Sequence, residues 1–244
     1  MNTACICILA RFPNEQWIEF LSKFTKYDIV IIADDNSVNY SEKYAAYKSI
    51  KIVQIPDNEC VANHFIHSST VTIKKLVISW DKALYYFSSV NTSYKHVWFI
   101  EEDVFFNNEQ TILDIDTKYP ESDLLSKGYG ENINGDKSQW HWRMIKIDIP
   151  PPYYCTMICA VRMSQKMLQR ILHYTQAYKQ LFFIEAMFST ICKYNNLVYD
   201  TPSELSTITW RDTFGDCDIN KTNLYHPIKD INTHVKYRQG LKPA

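Results

Sequence analysis

The run His96-Val97-Trp98-Phe99-Ile100-Glu101-Glu102-Asp103-Val104-Phe105-Phe106 places three consecutive carboxylates inside an otherwise apolar stretch. Val97 to Ile100 is short, continuous and β-prone, the pattern of a strand buried on both faces of a parallel sheet. Bare carboxylates cannot share that burial, because stripping water from an unpaired charge is very costly. The chain must therefore deliver Glu101, Glu102 and Asp103 to the carboxyl edge of the sheet, where open α/β folds bind ligands. Three acids there make a hard, oxygen-rich position suited to Mg²⁺ or Mn²⁺. The plainer reading is a solvated acidic turn.

The rest of the first half alternates strands and helices. Residues 5–12 read as a first buried strand, and Asn14 caps a helix whose apolar face is Trp17, Leu21 and Phe24. Residues 28–33 form a second strand, ending in Asp34-Asp35-Asn36; residues 50–55 form a third, closed by Pro56. A helix over 74–90, with Leu76, Trp80, Ala83, Leu84 and Phe87 on one face, leads into the acidic strand. This alternation predicts an α/β fold with a mostly parallel, doubly wound sheet over roughly the first 105 residues. The second half is less regular. It reads as a polar loop over 125–139, the string Trp140-His141-Trp142-Arg143, a strand over 153–161, a helix capped by Ser164, a helix over 182–194, and a loop-like tail from Trp210.

Glycine is the compositional outlier, with 5 in 244 residues against an average near 7%. That scarcity leaves no G-x-G-x-x-G and no G-x-x-x-x-G-K-[ST], so any bound phosphate must be held by metal and side chains rather than by a glycine-rich backbone cradle. A net charge of −1 gives no footprint for nucleic acid, and no basic run suggests a membrane surface. The seven cysteines form no zinc-finger pattern and suit reduced, buried thiols in a cytosolic protein. No run approaches the ~18–20 apolar residues of a membrane span, and with no signal peptide ahead of the first strand a cytoplasmic location is expected. The length suits one α/β domain with a full core, or two small ones.

Several isolated residues carry further chemistry. Glu185 is the one charge in Leu181-Phe182-Phe183-Ile184-Glu185-Ala186-Met187-Phe188. At the mouth of an apolar helix, desolvation would raise its pKa toward the range of a general base; otherwise it is a solvent-facing residue of an amphipathic helix. Asp34 and Asp35 either accept hydrogen bonds from a ligand at a strand end or make an Asx turn. Trp140 and Trp142 either offer flat faces to the C–H side of a sugar or are plain core. His64 and His67 are read as structural.

The acidic strand end in this setting resembles the D-x-D motif of GT-A glycosyltransferases. Glu101-Glu102-Asp103 looks like a variant of it, with Asp103 matching the second aspartate and the longer Glu at position 101. The resemblance implies a GT-A type fold with an acceptor-side second half: one domain over 1–244, a nucleotide-sugar donor half at 1–107 and an acceptor half at 108–244. It further implies Mn²⁺ or Mg²⁺ held by Glu101, Asp103 and a late histidine, His226. A nucleoside-diphosphate sugar would be bound by Asp34, Asp35, Glu101, Glu102 and Lys229, and Glu185 would be the base of an inverting transfer. The acceptor would be a glycan or glycoprotein, met through Trp140 and Trp142. The string His226-Pro227-Ile228-Lys229 resembles C-terminal segments of viral and algal glycosyltransferases, which would place the enzyme in a host cytoplasm. Two alternatives stay open: a sugar-1-phosphate nucleotidyltransferase, whose glycine-rich basic loop is missing near Leu9-Ala10-Arg11-Phe12-Pro13, and a non-catalytic carbohydrate-binding protein, which would leave the acidic strand end without a role.

Overall fold

Every side chain from Val97 to Ile100 is fully buried, and the strand that carries them lies inside a sheet of seven strands among the described residues. The computed structural model describes residues 3–69 and 75–241. In chain order the strands are β1 (Ala4–Ala10), β2 (Asp28–Ala33), β3 (Ile50–Gln54), β4 (His96–Glu101), β5 (Leu124–Asn132), β6 (Tyr153–Ser164) and β7 (Tyr199–Asp200). Across the sheet they run β3-β2-β1-β4-β6-β5-β7. The first four neighbours pair parallel, β6 is antiparallel to both β4 and β5, and β7 returns parallel to β5. The fold is α/β with a mostly parallel sheet.

Helices α1 (Glu15–Leu21), α2 (Tyr40–Lys43), α3 (Asp57–Ala62), α4 (Ser79–Tyr85), α5 (Glu109–Lys118), α6 (Gln165–Tyr178), α7 (Ile184–Tyr194) and α8 (Ile231–Gly240) complete the chain. Strand β1 shows why both sheet faces are covered. Cys5, Cys7 and Leu9 point into a core closed by α4, α6 and α7, while Ile6, Ile8 and Ala10 point into a second core under α1 and α5. A strand buried on both sides needs no polar alternation, which is why its sequence reads as a continuous apolar run. The Asn14 and Ser164 caps form as expected: Asn14 Oδ1 accepts from Trp17 N at 3.0 Å, and Ser164 Oγ from Met167 N at 3.1 Å.

Three expectations need correction. The region read as a polar loop from residue 125 is strand as far as Asn132, because β5 pairs with β6 through two register irregularities, one between Leu125 and Lys127 and one between Gly128 and Gly130. Tertiary pairing here overrides weak local propensity. The helix expected over 74–90 begins at Ser79, where Asp81 Oδ2 accepts from Ile78 N at 2.8 Å, and ends in a π-helical turn, Tyr86–Val90; Lys74 lies outside the described residues. The tail is not all loop: Asp230 Oδ1 accepts from Asn232 N at 2.9 Å and caps α8. Among the described residues no helix is long and apolar enough to cross a membrane.

The antiparallel half is bolted to the parallel half through Asp116 on α5. Its Oδ1 accepts from Trp98 Nε1 at 2.9 Å and from Arg162 Nη1 at 2.7 Å, and its Oδ2 from the Tyr27 hydroxyl at 2.6 Å. Arg162 on β6 is buried and also donates to the carbonyls of Ser122, at 3.1 Å, and Tyr119. Removing one partner of a buried ion pair typically costs about 3–5 kcal/mol, because the other charge is left uncompensated. Urea unfolding of Arg162→Ala should show a loss of that order; a loss below ~1 kcal/mol would mean that solvent takes over the arginine's role.

Candidate active site

Backbone pairing shapes the turn that follows β4. Val104 N donates to Glu101 O at 3.0 Å, and Glu102 N to Leu9 O at 3.1 Å. Phe105 and Tyr225 exchange two backbone hydrogen bonds of 2.9 Å, and Ile228 N donates to Asp103 O at 2.7 Å. These bonds clip a segment far away in sequence to the acidic turn, and they bring His226 over Glu101 and Asp103.

His226 Nδ1 lies 2.6 Å from the Thr209 carbonyl and donates to it. Its Nε2 faces Asp103 Oδ1 at 3.4 Å and Glu101 Oε2 at 3.9 Å. With Nδ1 committed, Nε2 either carries a proton or turns a lone pair toward two carboxylates, and a cation there resolves the repulsion. Burial pulls the His226 pKa down, but the Asp103 contact and the charges of Asp103 and Glu101 outweigh it and leave it raised. For Asp103, burial alone would raise the pKa, yet His226 and Lys229 hold it below the ordinary carboxylate value. Glu101 is pushed up by burial and by the charge of Asp103, although Trp80 Nε1 donates to its Oε1 at 2.7 Å. The donor atoms of Glu101, Cys159 and His226 all lie within 4.8 Å of one another. Convergent carboxylates, an imidazole oriented by a carbonyl and surplus negative charge fit a divalent cation.

Glu102 is separate from this cluster. It accepts from Arg11 N at 3.1 Å, its carbonyl accepts from Trp17 Nε1 at 3.0 Å, and burial raises its pKa.

Two cavities meet at the cluster. One, of about 810 Å³, is lined by Arg11, Trp17, Asp34, Lys75 and Glu102. The other, of about 440 Å³, is lined by His141, Cys159, Glu185, Trp210 and Arg211. Both are bordered by Ile78, Trp80, Glu101, Asp103 and Lys229.

The two early aspartates differ in their surroundings. Asp34 faces the larger cavity, ion-paired to Lys75 at 2.8 Å and to the buried Lys82 at 3.0 Å. Asp35 closes a turn, accepting from Ser37 N at 3.3 Å, Ser37 Oγ at 2.8 Å and the Tyr40 hydroxyl at 2.9 Å. The Ser37 hydroxyl, with the Tyr40 hydroxyl behind it, holds its carboxyl below the ordinary range.

Glu185 sits in the first turn of α7, buried, with its carboxyl in the smaller cavity and no hydrogen bond from the described residues. Burial and the charge of Glu101 push its pKa up to about 7. Trp140 and Trp142 lie in a turn and a short 3₁₀ segment rather than a strand. They pack edge-on at 4.6 Å between ring centroids, and Trp140 packs at a tilt against Phe183 at 5.6 Å. It is His141 between them that reaches the cavity wall, with its Nδ1 buried and unpartnered. His64 and His67 both take left-handed backbone conformations, at φ 68° and 70°. Trp80, Thr209 and Cys159 escape a sequence reading, because each looks like an ordinary helix-face, loop or core residue until the sheet and the C-terminal segment are assembled.

No family model and no curated protein matches the sequence. Among solved structures, an active-site mutant of LgtC matches with a TM-score of 0.50 and 10% identity, over 99% of this chain and 97% of that one. The chain is also similar to a 4-diphosphocytidyl-2C-methyl-D-erythritol synthase from Anaerococcus prevotii, with a TM-score of 0.48 at 10% identity over 98% and 96% of the two chains. Mouse xyloside xylosyltransferase 1 gives 0.46 at 9% identity over 93% and 97%. The likeness to LgtC is one of fold, and that fold is of the GT-A type.

Calorimetry with Mn²⁺ tests the cluster directly. Asp103→Asn should weaken binding at least about tenfold, the lower end of what disturbing a metal site costs. Affinity should also fall as pH drops through the raised pKa of His226, because the proton and the ion compete for Nε2. Equal, pH-independent affinity in both proteins would rule the site out.

Proposed function

We propose that the chain is a glycosyltransferase that moves a sugar from a nucleoside-diphosphate donor to an acceptor hydroxyl with inversion at the anomeric carbon. The observation that carries this reading is the position of Glu101, Asp103 and Lys229 on the shared border of two cavities, with an isolated carboxylate, Glu185, facing one of them alone.

The larger cavity suits the donor. Asp34 presents a carboxylate to ribose hydroxyls or a base N–H, Arg11 and Lys75 supply positive charge near it, and Lys229 reaches toward the phosphates. A divalent cation, Mn²⁺ or Mg²⁺, held by Glu101, Asp103 and His226 would neutralise the charge that develops on the departing diphosphate. The donor cavity draws on residues 9–103 together with Lys229 and Ile231, so a donor half at 1–107 needs the C-terminal segment to complete it.

The smaller cavity suits the acceptor. There Glu185 accepts the proton of the attacking hydroxyl, and its apolar surroundings make it a stronger base than an ordinary carboxylate. A base on the side of the anomeric carbon opposite the diphosphate gives direct displacement and hence inversion. The acceptor is read as a glycan or glycoprotein hydroxyl, received between His141, Trp210 and Arg211. All seven cysteines are free, which suits a reducing cytosol, including a host cytoplasm.

Glu185→Gln keeps size and packing and removes the base, so transfer should fall by about 10²-fold or more while donor binding is retained. With Mn²⁺ kept saturating at every pH, the wild-type rate should decline on the acid side of about pH 7, because protonation of Glu185 removes the base, and that limb should vanish in the variant. Near wild-type turnover in Glu185→Gln, or a product that keeps the donor's anomeric configuration, would sink the mechanism. Separately, Asp34→Asn should weaken nucleoside-diphosphate binding and Asp35→Asn should not, since Asp35 is engaged in its turn. Fluorescence titration with uridine and guanosine diphosphates reads both, and equal affinities in the two variants would remove Asp34 from the donor site.

A further inference from the structure

Cys159 lies beside Glu101 across the sheet. β4 and β6 pair antiparallel with Ile100 opposite Ala160, so one further step of the same register sets Glu101 opposite Cys159. Directly opposed residues project from the same face of a sheet. The thiol is buried, lies in the wall of the smaller cavity and belongs with Glu101 and His226 to a group whose donor atoms fall within 4.8 Å of one another. A buried thiol is usually a small apolar filler. This one instead shares its corner with two carboxylates and an imidazole whose Nδ1 already donates to the Thr209 carbonyl.

We propose that Cys159 is a sulfur ligand of the divalent cation held by Glu101, Asp103 and His226, making the donor set mixed oxygen, nitrogen and sulfur and selecting borderline ions such as Zn²⁺ or Co²⁺ over Mg²⁺. The inference rests on the reading that a divalent cation occupies this position. Carboxylate oxygens alone select hard ions, whereas an added sulfur favours the softer end of the first-row series. Cysteine, histidine and carboxylate together are a set that zinc accepts in four-coordinate geometry. Coordination replaces the S–H bond by a sulfur–metal bond and releases the proton to solvent, with no change of oxidation state.

The probe is Co²⁺ alone, added to the full-length, reduced protein in a Cys217→Ser background, since Cys217 is the exposed thiol. A sulfur-to-cobalt charge-transfer band in the near ultraviolet is expected, and Cys159→Ser should abolish it. The same substitution should weaken Zn²⁺ binding at least about tenfold while changing Mn²⁺ affinity by no more than about threefold, because Mn²⁺ relies on the oxygen and nitrogen donors. Calorimetric Co²⁺ binding with no sulfur band overturns the inference and leaves the carboxylate–histidine site standing, and this outcome needs no Cys159 variant to fold. A band that persists in Cys159→Ser overturns it as well. A protein that binds neither Mn²⁺ nor Co²⁺ overturns the cation reading on which the inference rests.

Discussion

The two backbone hydrogen bonds exchanged by Phe105 and Tyr225 decide what the acidic turn becomes. Without them, Glu101 and Asp103 are a repelling pair of carboxylates at the end of a buried strand. With them, His226 and Lys229 are held over the turn, and Ile228 N satisfies the Asp103 carbonyl. A contact spanning more than a hundred residues closes slowly on entropic grounds, yet nothing local at the strand end can supply a fixed cationic or imidazole partner. The chemistry of the site therefore depends on a tertiary bridge rather than on either strand end by itself.

The support behind the site is equally distributed. Trp80 on α4 fixes one oxygen of Glu101, leaving the other to face His226. Trp17 on α1 fixes the Glu102 carbonyl. Both tryptophans are almost fully buried, so their indole donors are held by packing and lose little freedom in making these bonds. Groups held in this way by packed donors keep their separation without a bound partner, which is what preorganisation requires.

The parts of this arrangement that follow from local pattern were legible in the sequence. The buried strand ending in three acids, the caps at Asn14 and Ser164, and the strand–helix alternation of the first half all depend on short-range periodicity and hydrogen bonding. The reading failed where long-range pairing decides. β5 is polar and glycine-bearing, and it becomes a strand because β6 lies beside it. Helix α8, with no marked apolar face, is anchored by the buried His234, which packs edge-on against Trp17 and Phe105 at 5.5 and 5.7 Å. In the site, Glu185 and the acidic run could be singled out by contrast with their neighbours, and His226 only through the family resemblance. Cys159, Trp80 and Thr209 could not, because a cysteine in an apolar run, a tryptophan on a helix face and a threonine in a loop look alike whether or not they touch functional atoms.

The common border of the two cavities has a consequence for how such a protein can diversify. Trp80, Glu101, Asp103 and Lys229 face both cavities at once, so any substitution among them is felt on both sides. The outer walls carry no such double duty: Arg11, Asp34 and Lys75 belong to one space, and His141, Trp210 and Arg211 to the other. A change in one outer wall leaves the lining of the opposite cavity untouched. The architecture thus separates a shared border from two rims that each line one cavity alone, so a substitution in one rim reshapes one cavity at a time.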